Sequence, residues 1–267
     1  MLEVAINTHM AYSPEQIAAF VGAAAWLPQL ATWAYRLYRK PKVVIIPDTR
    51  AELGYTNFGP IFNIRLAVSG DVHDVLLDNF SAEVRHESGD VKTFRWQGTK
   101  ETLSQVRDSS GICQTVEKDE TGIAIKVRPD ALVDKFFRFQ DPSFASATRP
   151  LLDEVLAHYE YLLAKGSDAH EALMGSDKLH TLLSAYRSNF SWRPGKYVAV
   201  FQCKAIHSAI AQSPAQFKFE LTPQDVERLR QNFDLLEPYF EWHTFYGKQG
   251  KVTAEPTFNW AYPSISR

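Results

Sequence analysis

The stretch IFNIRLAV, residues 61–68, sets the fold class. Phe62, Ile64, Leu66 and Val68 fall on one side of an extended chain, Asn63 and Arg65 on the other. Side chains alternate across a strand with period two, so this segment reads as a half-buried strand. One face meets a core and the other meets water.

The pattern recurs outward from this strand. Val43 to Ile46 is a short β-branched run ended by Pro47. Val75–His86 and Val91–Trp96 flank Glu87-Ser88-Gly89-Asp90, a hairpin signal because glycine accepts positive φ. Further strands are expected at Ile112–Val116, Ile123–Val127, Lys135–Phe139, Tyr197–Cys203 and Phe217–Leu221. Residues 51–60 and 98–110 are rich in glycine and polar groups and read as connections. No helix alternates with the strands, which argues against a parallel α/β sheet. The expected fold is mainly β with helical additions: an antiparallel immunoglobulin-like β-sandwich over residues 41–267.

From Pro150 the period becomes helical. Leu151, Leu152, Val155, Leu156, Tyr159, Leu162 and Leu163 follow the i, i+3, i+4 spacing of one helix face. A second stretch covers about 169–186, with Gly175 a potential break. This gives an inserted helical pair at about 142–190. Thr222 then caps a helix with Pro223 at its first position and Asp225 in its first turn.

The N-terminal segment has a different character. QIAAFVGAAAWLPQLATWAY, residues 16–35, contains no charged residue and is long enough for a helix across a bilayer. Ser13, Pro14 and Gln16 form a helix start. Arg36, Arg39, Lys40 and Lys42 follow the run, on the side opposite to a signal peptide's charges. By the positive-inside rule the body then faces the cytoplasm, as a single-pass membrane protein whose residues 1–40 form the anchor. Trp33 and Tyr35 would sit at the interface with the basic residues. Alanine content, Gln29, Thr32 and Pro28 keep a second reading open, in which the helix lies in the membrane plane or packs on protein.

Composition narrows function only by exclusion. The formal net charge is -2, so no field suited to nucleic acid is present. Two cysteines, Cys113 and Cys203, make no disulfide framework. There is no P-loop, dinucleotide fingerprint, nucleophile elbow or Cys-x-x-Cys, and no cofactor or metal is implied. Glu154 and His158, four apart, and Asp177 and His180, three apart, are the candidate catalytic residues. Both pairs fit a polar helix face equally well. The segment 238–262 carries eight aromatics, and within it Trp242, His243, Tyr246 and Trp260 are the candidate binding residues. The alternative role of these aromatics is to fill the core or cover a sheet edge.

The resulting expectation is a binding or scaffold module tethered to the cytoplasmic side of a membrane, with the lipid bilayer and another protein as partners and no nucleic acid. One alternative is a metal-dependent hydrolase-type enzyme sited on the helical insertion. Another is a subunit of a larger membrane-associated assembly.

Overall fold

A computed structural model describes residues 13–71, 73–107, 113–166, 168–206, 210–212, 215–245 and 254–266. The chain divides into two compact units, residues 1–40 and 41–267.

In the first unit, helix α1 spans Pro14–Tyr38. Pro28 lies inside it, and the Thr32 hydroxyl donates to the Pro28 carbonyl at 2.7 Å. Trp26, Leu27, Leu30, Trp33 and Tyr35 are all exposed. Arg39 donates to the Tyr35 phenol at 2.9 Å, which keeps a cation beside an aromatic at the helix end. The expected bilayer span is not supported. Among the described residues, no helix is long and apolar enough to cross a membrane. The length is there, but alanine, Gly22, Gln29 and Thr32 dilute the apolar surface.

The second unit is mainly antiparallel β. Its strands are β1 (Lys42–Thr56), β2 (Gly59–Gly70), β3 (Val75–His86), β4 (Val91–Arg107), β5 (Cys113–Thr121), β6 (Ile125–Val127) and β7 (Val133–Gln140). Helices α2 (Pro142–Ala164), α3 (Ala169–Met174) and α4 (Asp177–Ser188) follow. Next come β8 (Gly195–Ala205), β9 (Ala211–Gln212), β10 (Ala215–Leu221), α5 (Pro223–Arg230), α6 (Phe233–Phe245) and β11 (Trp260–Ala261). The expected helical pair is thus three helices, because Gly175 ends α3 and Ser176 caps α4.

The strands form one hydrogen-bonded network rather than two separate sheets, in the order β10-β8-β3-β4-β7-β2-β1-β11. The network curls on itself. Phe62 on β2 packs against Phe94 on β4, Phe201 on β8 and Phe219 on β10, with ring centroids 6.0–6.1 Å apart. Those strands lie far apart along the sheet, so β1-β2-β7 faces β4-β3-β8-β10 across one core. Phe62, Ile64, Leu66 and Val68 are all fully buried there, as their alternation requires.

Two devices make the curl. Beyond their hairpin, β3 and β4 splay apart, and β5 and β6 fill the wedge. β5 pairs with the far end of β4, and β6 pairs with the start of β3. On the opposite side, residues 260–266 close the gap between β1 and β10. Ile265 N–H donates to the Thr49 carbonyl at 2.7 Å, and Lys218 and Ser266 exchange backbone bonds at 2.7 and 2.9 Å. The register shift of β1 between Pro47 and Ala51 lies where this segment docks.

Two segments expected as connections are strand. β1 continues through Gly54 to Thr56, and β4 continues through Gly98 to Arg107. Each glycine is there for close approach, not for a turn. A Cβ on Gly54 would collide with the Trp260 ring, and one on Gly98 with the Glu120 carbonyl.

The helices form a second core at the end of β1. Tyr55 is its hub, with Phe144, Phe190 and Phe233 packed edge-on around the ring. The Tyr55 hydroxyl donates to the Tyr186 carbonyl. Burial pushes the Tyr55 phenol far up, with Tyr186 and Asp141 adding to it. Asp141 caps α2 through Ser143 N–H at 2.8 Å and pairs with Lys92 at 2.8 Å.

Candidate functional site

The outer face of β1, β2 and β7 carries polar side chains in register. Glu52 pairs across to Asn63, and Asn63 to Arg138. A second rung runs from Arg65 through Phe136 and Lys100 to Asp119. Cross-strand neighbours stand close enough to interact directly. Left open, this face would be solvated. It is instead roofed by residues 255–262 and by Tyr239 of α6, and a cleft of about 520 Å3 remains beneath. It adjoins a polar hollow of about 420 Å3 that shares Glu52, Lys100 and Phe136. Small-molecule sites typically occupy about 300–1,000 Å3.

The roof is held by one buried amide. Asn232, fully buried in the turn between α5 and α6, donates to the Tyr55 and Asn259 carbonyls, both at 2.9 Å. Its Oδ1 accepts from Asn259 N–H at 2.7 Å. α5 ends at its C-terminal cap, Gln231, just before it; at the start Thr222 is the expected cap, and it forms a capping box with Asp225. Trp260 then lies over Gly54, whose carbonyl accepts from Trp192 Nε1 at 2.9 Å.

The chemistry inside is mixed. Glu52, Asp119 and Glu255 are acidic, and Lys100 and Arg138 are basic. Asp119 is answered by Arg138 at 2.6 Å, and Glu255 lies 3.4 Å from His243 Nε2. Phe58 and Tyr262 line the cleft yet remain 50% and 52% exposed. Both cleft tyrosines resist ionisation. Burial, then Glu255, raises Tyr239; burial, then Glu52, raises Tyr262 against Arg228. Most telling are two amides. Asn63 is only 5% exposed, and its Oδ1 has no hydrogen-bond partner. Asn57 Oδ1 is likewise buried without one. Asn63 Nδ2 donates to Glu52 at 3.5 Å; turned over, the amide would set its oxygen against that carboxylate and leave both ends unpaired. An unmade bond of this kind costs about 1–3 kcal/mol unless a ligand or water completes it.

Of the aromatic candidates, Trp260 lines the cleft. His243 backs its rim, with its ring centroid 4.2 Å from Tyr239. Trp242 packs on His243 and is not part of the lining. Tyr246 and the side chain of Arg36 lie outside the described residues. The exposed positions of Trp33, Tyr35, Arg39, Lys40 and Lys42 are compatible with an interface.

The catalytic candidates are not joined. Glu154, Asp177 and His180 are exposed, His158 is half-buried, and no hydrogen bond or ion pair links any two of them. No three His, Cys, Asp or Glu side chains among the described residues are placed to hold a metal. The close acid–imidazole pair is a different one, His170 Nε2 to Glu241 Oε1 at 2.7 Å. It is buried against Phe245, with ring centroids 4.5 Å apart, and fastens α3 to α6 inside the helical core.

No known family model matches the chain, and no curated protein or solved structure is detectably similar to it.

Proposed function

We propose that this protein is a membrane-held binding module whose ligand site is the Asn63 cleft. The observation that carries the reading is the pairing of an unpartnered, buried amide oxygen with half-exposed aromatic walls. Aromatic lining with a few convergent polar groups is how small-molecule sites combine affinity with orientation. The leaf order supports an immunoglobulin-like sandwich as the scaffold. β1-β2-β7 corresponds to one leaf of that fold and β3-β8-β10 to the other, with β4 joining them.

The membrane part of the proposal takes the in-plane form. α1 offers exposed tryptophan, leucine and tyrosine side chains to an acyl boundary, and Arg39, Lys40 and Lys42 follow. Anionic lipid is concentrated on the cytoplasmic leaflet, so a basic cluster fits that face.

A thermal-unfolding screen of the full chain against neutral, cationic and anionic small molecules tests the site. At 100 times its Kd a ligand stabilises by about 2.7 kcal/mol, which is readily seen. The reading requires a compound that raises Tm in the wild type and not in Tyr262→Ala. No such compound in any class would end it. Co-sedimentation with phosphatidylglycerol-containing vesicles, compared with pure phosphatidylcholine, tests the anchor. Equal recovery in the supernatant of both would remove it.

A further inference from the structure

Five exposed aliphatic side chains of the body lie at one end of it. That end is where β1, β3 and β7 begin and β2, β6 and β8 finish, as the pairs Val43–Gly70, Val68–Val133, Val75–Val127 and Leu77–Ala205 require. Val44 and Ile46 point outward because Val43 and Ile45 fill the core, and Leu76 points outward between buried Val75 and Leu77. Leu132 lies on the connection from β6 to β7. Ile206 directly follows β8, and its N–H donates to the Leu76 carbonyl at 3.0 Å. The five are 37–60% exposed. The helical core around Tyr55 occupies the opposite end of β1.

Their arrangement points to what covers them. They are divided between the two outer faces of the curled sheet and the connections at its end, so they form a rim rather than a groove. All five are valine, leucine or isoleucine. Protein interfaces draw their energy from tryptophan, tyrosine and arginine anchors, and leucine and valine are under-represented there. A lipid boundary asks only for apolar surface that reaches into it. Charge does not oppose such a contact. Asp74 is paired with Lys126 at 2.6 Å, and Asp130 lies 3.7 Å from Arg128, so these acidic groups are offset. Lys40 and Lys42 are exposed beside the start of β1 and suit anionic headgroups.

The covalent chain adds a second argument. Tyr38 ends α1 and Lys42 begins β1. Four residue steps span at most about 14 Å, so a surface that holds α1 has the start of β1 within reach. A second contact on so short a tether forms at high effective concentration, and a few aliphatic side chains then suffice.

We infer that the body rests on the same lipid surface as α1, seating Leu132, Ile206, Leu76, Val44 and Ile46 at the acyl boundary, a reading that rests on α1 being held in that surface. The cleft then opens above the lipid. From Ser69, opposite Val44, to Asn63, opposite Glu52, β2 rises about 20 Å.

The test uses the full chain carrying Cys113→Ser, which leaves buried Cys203 as the native thiol. A polarity-sensitive fluorophore is attached at Leu132→Cys, at Ile206→Cys or, as the control on the exposed side of α2, at Tyr161→Cys. The vesicles contain phosphatidylglycerol, with and without lipids brominated near the headgroup end of their acyl chains. The expected result is a blue shift and bromine quenching at the first two positions and neither at the third. Unlabelled Leu132→Ser combined with Ile206→Ser should bind the vesicles about tenfold or more weakly, with an unchanged circular dichroism spectrum. Protein that sediments with vesicles while both labels stay water-like overturns the inference and leaves the α1 anchor standing. An unchanged affinity of the double variant does the same. Labels already shielded before vesicles are added also overturn it: a doubled mass in ultracentrifugation then identifies a second copy as the cover, and an unchanged mass a segment of this chain. If the protein does not sediment with the vesicles at all, the inference and the anchor fall together.

Discussion

Replacing Asn232 by alanine should loosen the roof of the cleft and lower global stability together. The side chain makes three hydrogen bonds, two at 2.9 Å to the Tyr55 and Asn259 carbonyls and one at 2.7 Å from Asn259 N–H. A net of about 0.5–1.5 kcal/mol per bond gives roughly 1.5–4.5 kcal/mol, centred near 3. The upper half of that range is expected because Tyr55 is fully buried, so its stranded carbonyl has little access to water. For a body of this size, about 2–4 °C of Tm per kcal/mol translates this upper half into a fall of roughly 6–18 °C. Urea unfolding followed by tryptophan fluorescence measures the change, with the slope m unaltered if only the native state is weakened. Asn232→Asp should be at least as damaging. It keeps an acceptor for Asn259 N–H but loses both donors and sets a buried charge against two carbonyls. A loss below about 1 kcal/mol for alanine would refute the argument that this amide holds the segment.

Three further outcomes follow from other contacts. Gly54→Ala drives a methyl into the Trp260 ring, so Trp260 must leave its place; overpacking of this kind costs about 1–3 kcal/mol, and fluorescence of the native state should change with it. Asp141 is raised by burial, but its bonds from Lys92 and Ser143 outweigh this and leave its carboxyl below the usual range. Its folded pKa is depressed, so its contribution is complete above the unfolded value and is lost as pH falls through the folded one. Asp141→Asn should therefore flatten part of the acid limb of a stability–pH profile below about pH 4. Burial pushes the Cys203 thiol up to about 12, so in a Cys113→Ser background it should resist alkylation at pH 8 until the protein unfolds. Rapid native labelling would contradict its placement.

The legible parts of the fold are those decided by neighbours in sequence. Phe62, Ile64, Leu66 and Val68 alternate and are buried, and Gly175 and Thr222 punctuate helices as their chemistry demands. Gly54 and Gly98 misled because a glycine that admits a distant ring or carbonyl looks the same in sequence as one that makes a turn. Pro238 concealed α6, although one proline removes only a single backbone donor. The site was half visible. The aromatic excess at residues 238–262 marked one wall, but Asn63 read as solvent-facing because nothing local announces that a segment near residue 260 covers it. The His170–Glu241 pair was hidden for the same reason, since its members lie on separate helices.

The closure of β1 and β10 by residues 260–266 also bears on how the body is made. β1 belongs to the first part of the body to be synthesised, and most of its outer edge waits for partners some two hundred residues later, at Trp260–Ser264. Pairings so distant in sequence form late, after the local hairpins. A copy that stops short of residue 260 would leave the β10 edge and most of the β1 edge unpaired, since β9 covers only Lys42 and Val43, and unpaired edges invite other strands. Truncated products of this protein should therefore aggregate or be degraded rather than persist as partly working copies. The seam makes the integrity of residues 260–266 a condition for the solubility of the whole body.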